Sequence, residues 1–176
     1  MPTLTWPYAH LLFNHFPVVL ATVGVVIAFC ALLSGRRALW LYAMGTLAAA
    51  ALIVYPVHLT GSQADDALRD PWYIKRGVID AHETAASIAM YLILAAGAVS
   101  AYGWWRAQKR QDEVIPLWIR LAVLIGALAG FGSVSYAAFL GGKIIHEAPV
   151  LGLPAAPPGL PPGIATPPRD SAPAND

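Results

Sequence analysis

Four long apolar runs separated by short polar breaks constrain this chain more than any other feature. Leu11 to Leu33, Ala38 to Val57, Ala81 to Trp104 and Ile115 to Leu140 are each long and apolar enough to cross a membrane, since a hydrocarbon core of about 30 Å takes about 20 helical residues. In lipid every backbone N–H and C=O must be paired within the protein, and a helix does this inside a single segment. The expected fold is all-α, an integral membrane four-helix bundle over 1–148. The Pro/Ala/Gly-rich stretch 149–176 lacks side chains large enough for a core and is expected to be an extended or disordered tail. With 57% hydrophobic and 12% charged residues, the chain is too apolar to hide its surface inside a soluble domain.

Several function classes fall away on the same grounds. A formal net charge of +1 leaves no basic stripe for nucleic acid, and no GxxxxGK[ST] loop cradles a phosphate. The single cysteine, Cys30, cannot form an internal disulfide and reads as a small buried apolar side chain. The first residues lack the positive region and small-residue cleavage site of a signal peptide, so the first helix is expected to remain in the mature protein.

Orientation follows the Lys/Arg bias of short connections. Arg36 and Arg37 lie between helices one and two, and Arg106, Lys109 and Arg110 between helices three and four. Those connections are expected to be cytoplasmic, which makes this a multi-pass protein of the bacterial inner membrane with both termini periplasmic. The outer connection from Leu59 to Asp80 mixes both charge signs. It is expected to hold a short interfacial helix before Pro71, with Trp72 and Tyr73 at headgroup depth.

All five histidines fall at that outer end: His10 before helix one, His15 a turn inside it, His58 at the end of helix two, His82 at the start of helix three and His146 after helix four. Ionisable groups near a membrane interior mark ligand, ion or proton sites. Imidazole is the commonest ligand for haem iron, copper and zinc, and a four-helix bundle aims side chains from facing helices at one cofactor. The leading expectation is a b-type cytochrome-like electron-transfer subunit of a respiratory or photosynthetic redox complex, with His15 and His82 as axial ligands of haem b and His10 and His146 as a second pair. His10 and His15 are five residues apart, about 140° around a helix, so His15 is expected to face the bundle and His10 the outer loop.

Two other classes stand beside this one. Three or four of His10, His15, His58, His82 and His146, with Glu83 or Glu147, would hold copper or zinc. Alternatively, the bundle is a cofactor-free accessory subunit whose histidines decorate the interface. No catalytic residues are expected: His82-Glu83 is followed by Thr84, Ala85 and Ala86, so the second zincin histidine is missing. No CxxCH motif is present, so a haem would be held noncovalently.

The remaining signals read as structural. Pro17 suits a first helical turn or kinks a helix already begun. Gly61 and the Gly141-Gly142 pair read as helix stops. Gly126 and Gly130 form a small-xxx-small face for close helix packing or for the approach of a flat macrocycle. Asn14 and Glu83 adjoin His15 and His82 and suit a supporting shell, while Asp65, Asp66 and Asp80 read as solvated loop charges or as further ligands.

Together, "HLLFNHFPVV", "LTGS", "DAHETAA" and "LGGKIIHEAPV" resemble an uncharacterised family of bacterial four-helix inner-membrane proteins, a domain of unknown function. A His-x4-His-Phe-Pro opening, a Thr-Gly after helix two, a histidine at helix three and a Gly-Gly…His ending recur in that family. The likeness runs from about Ala9 to Val150. It implies that His10, His15, His82 and His146 correspond to the family's histidines, with His58 unmatched. Some relatives are fused to Rieske-type iron–sulfur domains, which implies membrane redox chemistry on the outer face, although Rieske cysteines do not occur here.

Overall fold

The computed structural model describes residues 5–67, 76–110 and 114–147. They form α1 (Trp6–Phe13), α2 (His15–Ser34), α3 (Arg37–Ala67), α4 (Arg76–Lys109) and α5 (Leu117–Glu147). α1 and α2 make one membrane-length stretch, Trp6–Ser34, and four helices are long and apolar enough to cross a membrane. The protein is an all-α transmembrane four-helix bundle. The outer connection around Pro71, Trp72 and Tyr73, and the tail from Pro149, lie outside the described residues.

In the ring of helices α2 packs on α3, α3 on α4, α4 on α5 and α5 back on α2, while α1 leans on α3. α2 and α4 therefore occupy opposite corners, as do α3 and α5. The helices touch through small side chains. The buried face of α2 is Pro17, Ala21, Gly24, Ala28 and Ala31, whereas Val19, Val26, Phe29 and Leu33 point outward. This reverses the pattern of a soluble helix: lipid solvates large apolar side chains, and backbones gain dispersion by approaching over small ones. Cys30 shares the outward face of α2 and is exposed, so the expectation of a buried thiol is corrected. Gly126 and Gly130 of α5 serve close packing, with Cβ positions at 3.0 Å from the Ala96 Cβ and 3.4 Å from the Ile93 Cγ1 of α4.

Helix ends differ from the sequence expectation. α3 runs past Gly61 to Ala67, and α5 runs past Gly141 and Gly142 to Glu147. These glycines are helix interior, not stops. The true left-handed cap is Gly35, at φ 67°, where α2 turns into α3. A side chain disfavours that conformation and glycine does not. At the other end of the first span the chain breaks at Asn14, and Pro17 falls in the first turn of α2, where its missing N–H leaves the Phe13 carbonyl without an i+4 donor. Pro17 thus acts in both ways the sequence allowed.

The two ends of the bundle are held differently. At one end the Arg37 guanidinium donates to the Ala107 carbonyl in the last turn of α4, tying the start of α3 to the end of α4. Tyr102, Trp105 and Trp118 gather there, with ring centres 6.1 Å apart for each contact made by Tyr102, as aromatic side chains do at a membrane boundary. At the histidine end Arg76 grips Asp65 at 2.7 and 3.3 Å and meets Asp80 at 3.5 Å. This ion pair clasps α3 to α4, which gives Asp65 a structural partner in place of simple solvation.

Candidate functional site

Two histidines meet across the histidine end of the bundle, and they are His10 and His82. Their ring centres are 6.4 Å apart and their planes are inclined at 70°. His10 comes from α1 and His82 from α4, and each is half-buried. His15 lies on the outer surface, with Nδ1 turned back 3.2 Å from the Leu11 carbonyl of its own preceding turn. The expectation that His15 faces the bundle is corrected. Residues five apart cannot both look inward, and the lean of α1 onto α3 presents His10.

Each inward imidazole is fixed in the same way. His10 Nδ1 lies 3.2 Å from the Val57 carbonyl and 3.1 Å from Thr60 Oγ1 on α3, and the Thr60 hydroxyl donates to that same Val57 carbonyl at 2.7 Å. With the hydroxyl proton committed and the carbonyl able only to accept, the proton between ring and helix belongs to Nδ1. His82 Nδ1 likewise donates to the Ala137 carbonyl of α5 at 2.9 Å. Nδ1 of each ring therefore carries a proton, and in the neutral imidazole the lone pair is on Nε2. Among the described residues neither Nε2 has a hydrogen-bond partner. This is how a ligating histidine is prepared: one nitrogen held by a carbonyl, the other left as donor to a metal.

Glycine makes room for each ring. A Cβ on Gly61 would stand 3.0 Å from His10 Cε1, and one on Gly141 would stand 3.1 Å from His82 Cε1. Gly61 is four residues after Val57, and Gly141 four after Ala137, so each ring rests on a glycine one turn beyond the carbonyl that holds it. The two hairpins thus build the same seat twice. Sequence reasoning took these glycines for caps and missed Thr60. The available signal was the repeated step of one helical turn between an apolar residue and a glycine, which has meaning only once the facing histidine is known.

Packing also differs between the two halves. In the half away from the histidines Trp40, Met44, Ile119 and Val123 are fully buried along the interior. In the histidine half the described apolar side chains exposed by less than 2% are Ala21 and Ala50. Asn14, one turn below His10 and joined to its carbonyl by a backbone hydrogen bond of 2.9 Å, has a buried Oδ1 without a partner. An unsatisfied buried amide oxygen costs about 1–3 kcal/mol, so this interior holds polar capacity that the protein itself does not use.

Other expected ligands are placed elsewhere. His58 is half-buried on α3, within electrostatic reach of His10; Glu83 is exposed. The side chains of His146 and Glu147 lie outside the described residues. Among the described residues no three His, Cys, Asp or Glu side chains converge on one point. Among the described residues the site offers two imidazoles, fewer than the three or four protein donors that zinc or copper takes. Comparison with family models, with curated proteins and with solved structures finds no match for this chain.

Proposed function

We propose that His10 and His82 are the axial ligands of a b-type haem at the histidine end of the bundle, and that the protein is an electron-transfer subunit of a membrane redox complex. The observation that carries this reading is the 6.4 Å separation of two imidazoles whose Nδ1 atoms are already committed to backbone. A metal with nitrogen bonds of about 2 Å holds the centres of two opposed imidazoles about 6 Å apart. An angle of 70° between the planes is compatible, because each ligand ring turns freely about its own metal–nitrogen bond. Two histidines alone are too few donors for a bare zinc or copper ion, whereas His10 and His82 would complete the coordination of a haem iron, which favours haem at this site. When bound, such a group supplies a one-electron ferric/ferrous couple. The chain's own part is to hold both tautomers, seat the rings on Gly61 and Gly141, and keep bulk water out with the surrounding alanines.

The collection of Arg36, Arg37, Arg106, Lys109 and Arg110 at the opposite end supports placing the histidine end on the periplasmic face of a bacterial inner membrane. It is also the face on which the motif likeness implies redox chemistry. The four motif segments supply the histidine pair, Thr60 and the two glycine seats.

The test is a visible spectrum of the purified protein, made with ample haem supply and recorded oxidised and dithionite-reduced. A Soret band with sharp reduced bands of a low-spin, six-coordinate haem is expected. A protein that carries no Soret band and takes up no added hemin overturns the reading. One observation favours a second reading: both Nδ1 bonds cross between helices, so the histidines also serve as clasps. A colourless protein that loses thermal stability in His10→Ala and His82→Ala supports clasps alone.

A further inference from the structure

The outward side of the α4/α5 seam carries a groove of about 350 Å³, lined by Asp80, Thr84 and Ile88 of α4 and Ser133, Tyr136 and Leu140 of α5. We infer that it binds the headgroup of a lipid-soluble quinone, entering from the bilayer. The volume lies within the range of small-molecule sites, about 300–1,000 Å³, and the wall is apolar with a few polar atoms, as such sites are.

The polar atoms are the reason to expect a ligand. Tyr136 is 59% exposed, and Tyr91, three residues after Ile88 on the same side of α4, is 67% exposed. Neither phenol makes a hydrogen bond among the described residues, and polar groups turned toward lipid are costly unless something meets them. Their chemistry selects the occupant. The Thr84 hydroxyl donates to the Asp80 carbonyl at 2.9 Å and the Ser133 hydroxyl to the Gly130 carbonyl at 3.0 Å. Both oxygens are left as acceptors, in a wall that also includes Asp80, while Tyr136 remains a donor. A quinone ring is flat and uncharged, with a carbonyl at each end to accept from Tyr136. Its reduced form has hydroxyls to donate to Ser133, Thr84 or Asp80. A phospholipid headgroup is a poorer match, because its phosphate would face the Asp80 carboxylate, and the adjacent cation, Arg76, is already shared between Asp65 and Asp80.

Position gives the site a purpose on the reading proposed above, on which that purpose rests. Tyr136 precedes Ala137, whose carbonyl holds His82. The groove and the histidine pair therefore lie at one depth, on the two sides of a single helix seam.

The experiment is binding of decyl-benzoquinone to the full chain in nanodiscs of zwitterionic lipid, followed by equilibrium dialysis against empty discs. Saturable binding of one quinone per chain is expected. Tyr136→Phe should weaken it about threefold to tenfold, the value of one hydrogen bond. Ile88→Trp, which fills the groove, should weaken it more than about tenfold, and Ile125→Trp, at an exposed position about three turns away toward the other end of α5 and outside the groove lining, should leave it unchanged. If Ile88→Trp fails to fold, Tyr136→Phe decides. Non-saturable partitioning equal to that of empty discs, equal binding in both groove variants, or a co-purifying subunit that covers the groove and blocks the probe overturns the proposal. His82→Ala should abolish any haem spectrum yet keep quinone binding within about twofold. Quinone binding by a protein without haem overturns the haem reading alone.

Discussion

His10 of α1 and His82 of α4 approach to 6.4 Å between ring centres, each imidazole held by a carbonyl of a different neighbouring helix. His10 leans on α3 at Val57 and His82 on α5 at Ala137. The pair is thus braced from two sides, and neither ring needs the other to keep its orientation.

That bracing predicts which histidines matter. His10→Ala and His82→Ala should each lower hemin affinity by at least about tenfold and remove the low-spin spectrum, since even a supporting residue of a metal site typically contributes about 10- to 100-fold. His15→Ala should leave both unchanged because its ring points away from the bundle. Hemin titration followed at the Soret band measures all three, and loss of the spectrum only in His15→Ala would reverse the assignment.

The glycine seats predict a second pattern. Gly61→Ala and Gly141→Ala place a methyl group 3.0 and 3.1 Å from the Cε1 atoms of His10 and His82, so each ring has to move by a few tenths of an ångström and its Nδ1 bond lengthens. Hemin affinity should fall by about tenfold in each. Gly132→Ala, with nothing within 4 Å of the new Cβ, should leave affinity unchanged and gain up to about 1 kcal/mol from the lower entropy of the unfolded chain. Hemin titration and thermal unfolding in detergent check both arms.

Close packing of α3 on α4 should be the most sensitive contact. A Cβ on Gly97 would run into the Ala51 Cβ and stand 3.1 Å from the Leu47 carbonyl oxygen. Backbone cannot move aside as a flexible side chain does, so Gly97→Ala should cost about 1–3 kcal/mol. A lower melting temperature without change at the histidine end is the expected result, and an unchanged melting temperature would show that the α3/α4 contact is slack.

At the basic end, Arg37→Ala removes the guanidinium that donates to Ala107 and leaves the last turn of α4 short of a partner. A hydrogen bond from a charged donor contributes about 1.5–3 kcal/mol, and the loss should appear in thermal unfolding. Arg37→Lys should recover part of it, since one ammonium supplies a donor without the planar fork.

Much of this was legible along the chain. Four spans follow from run length, because burial in lipid depends on how many consecutive residues are apolar and not on what they touch. The shared end of His10, His15, His58 and His82 follows from the helix count. The outward side of Cys30 was not legible, since in a helix apolar all round no periodicity separates the lipid face from the interior face.

The candidate site was legible in its residue types and not in its pairing. Sequence supplied the histidines, because polar residues stand out in an apolar run, but it gave Thr60 no role and took Gly61 and Gly141 for helix stops. Only the tertiary structure decided that His10, not His15, turns inward, and that Gly61 and Gly141 seat imidazoles instead of ending helices. The physical reason is that a residue's height in the membrane accumulates along the chain at a constant rise, whereas the direction it faces depends on the break at Asn14 and on the neighbouring helix against which α1 comes to rest.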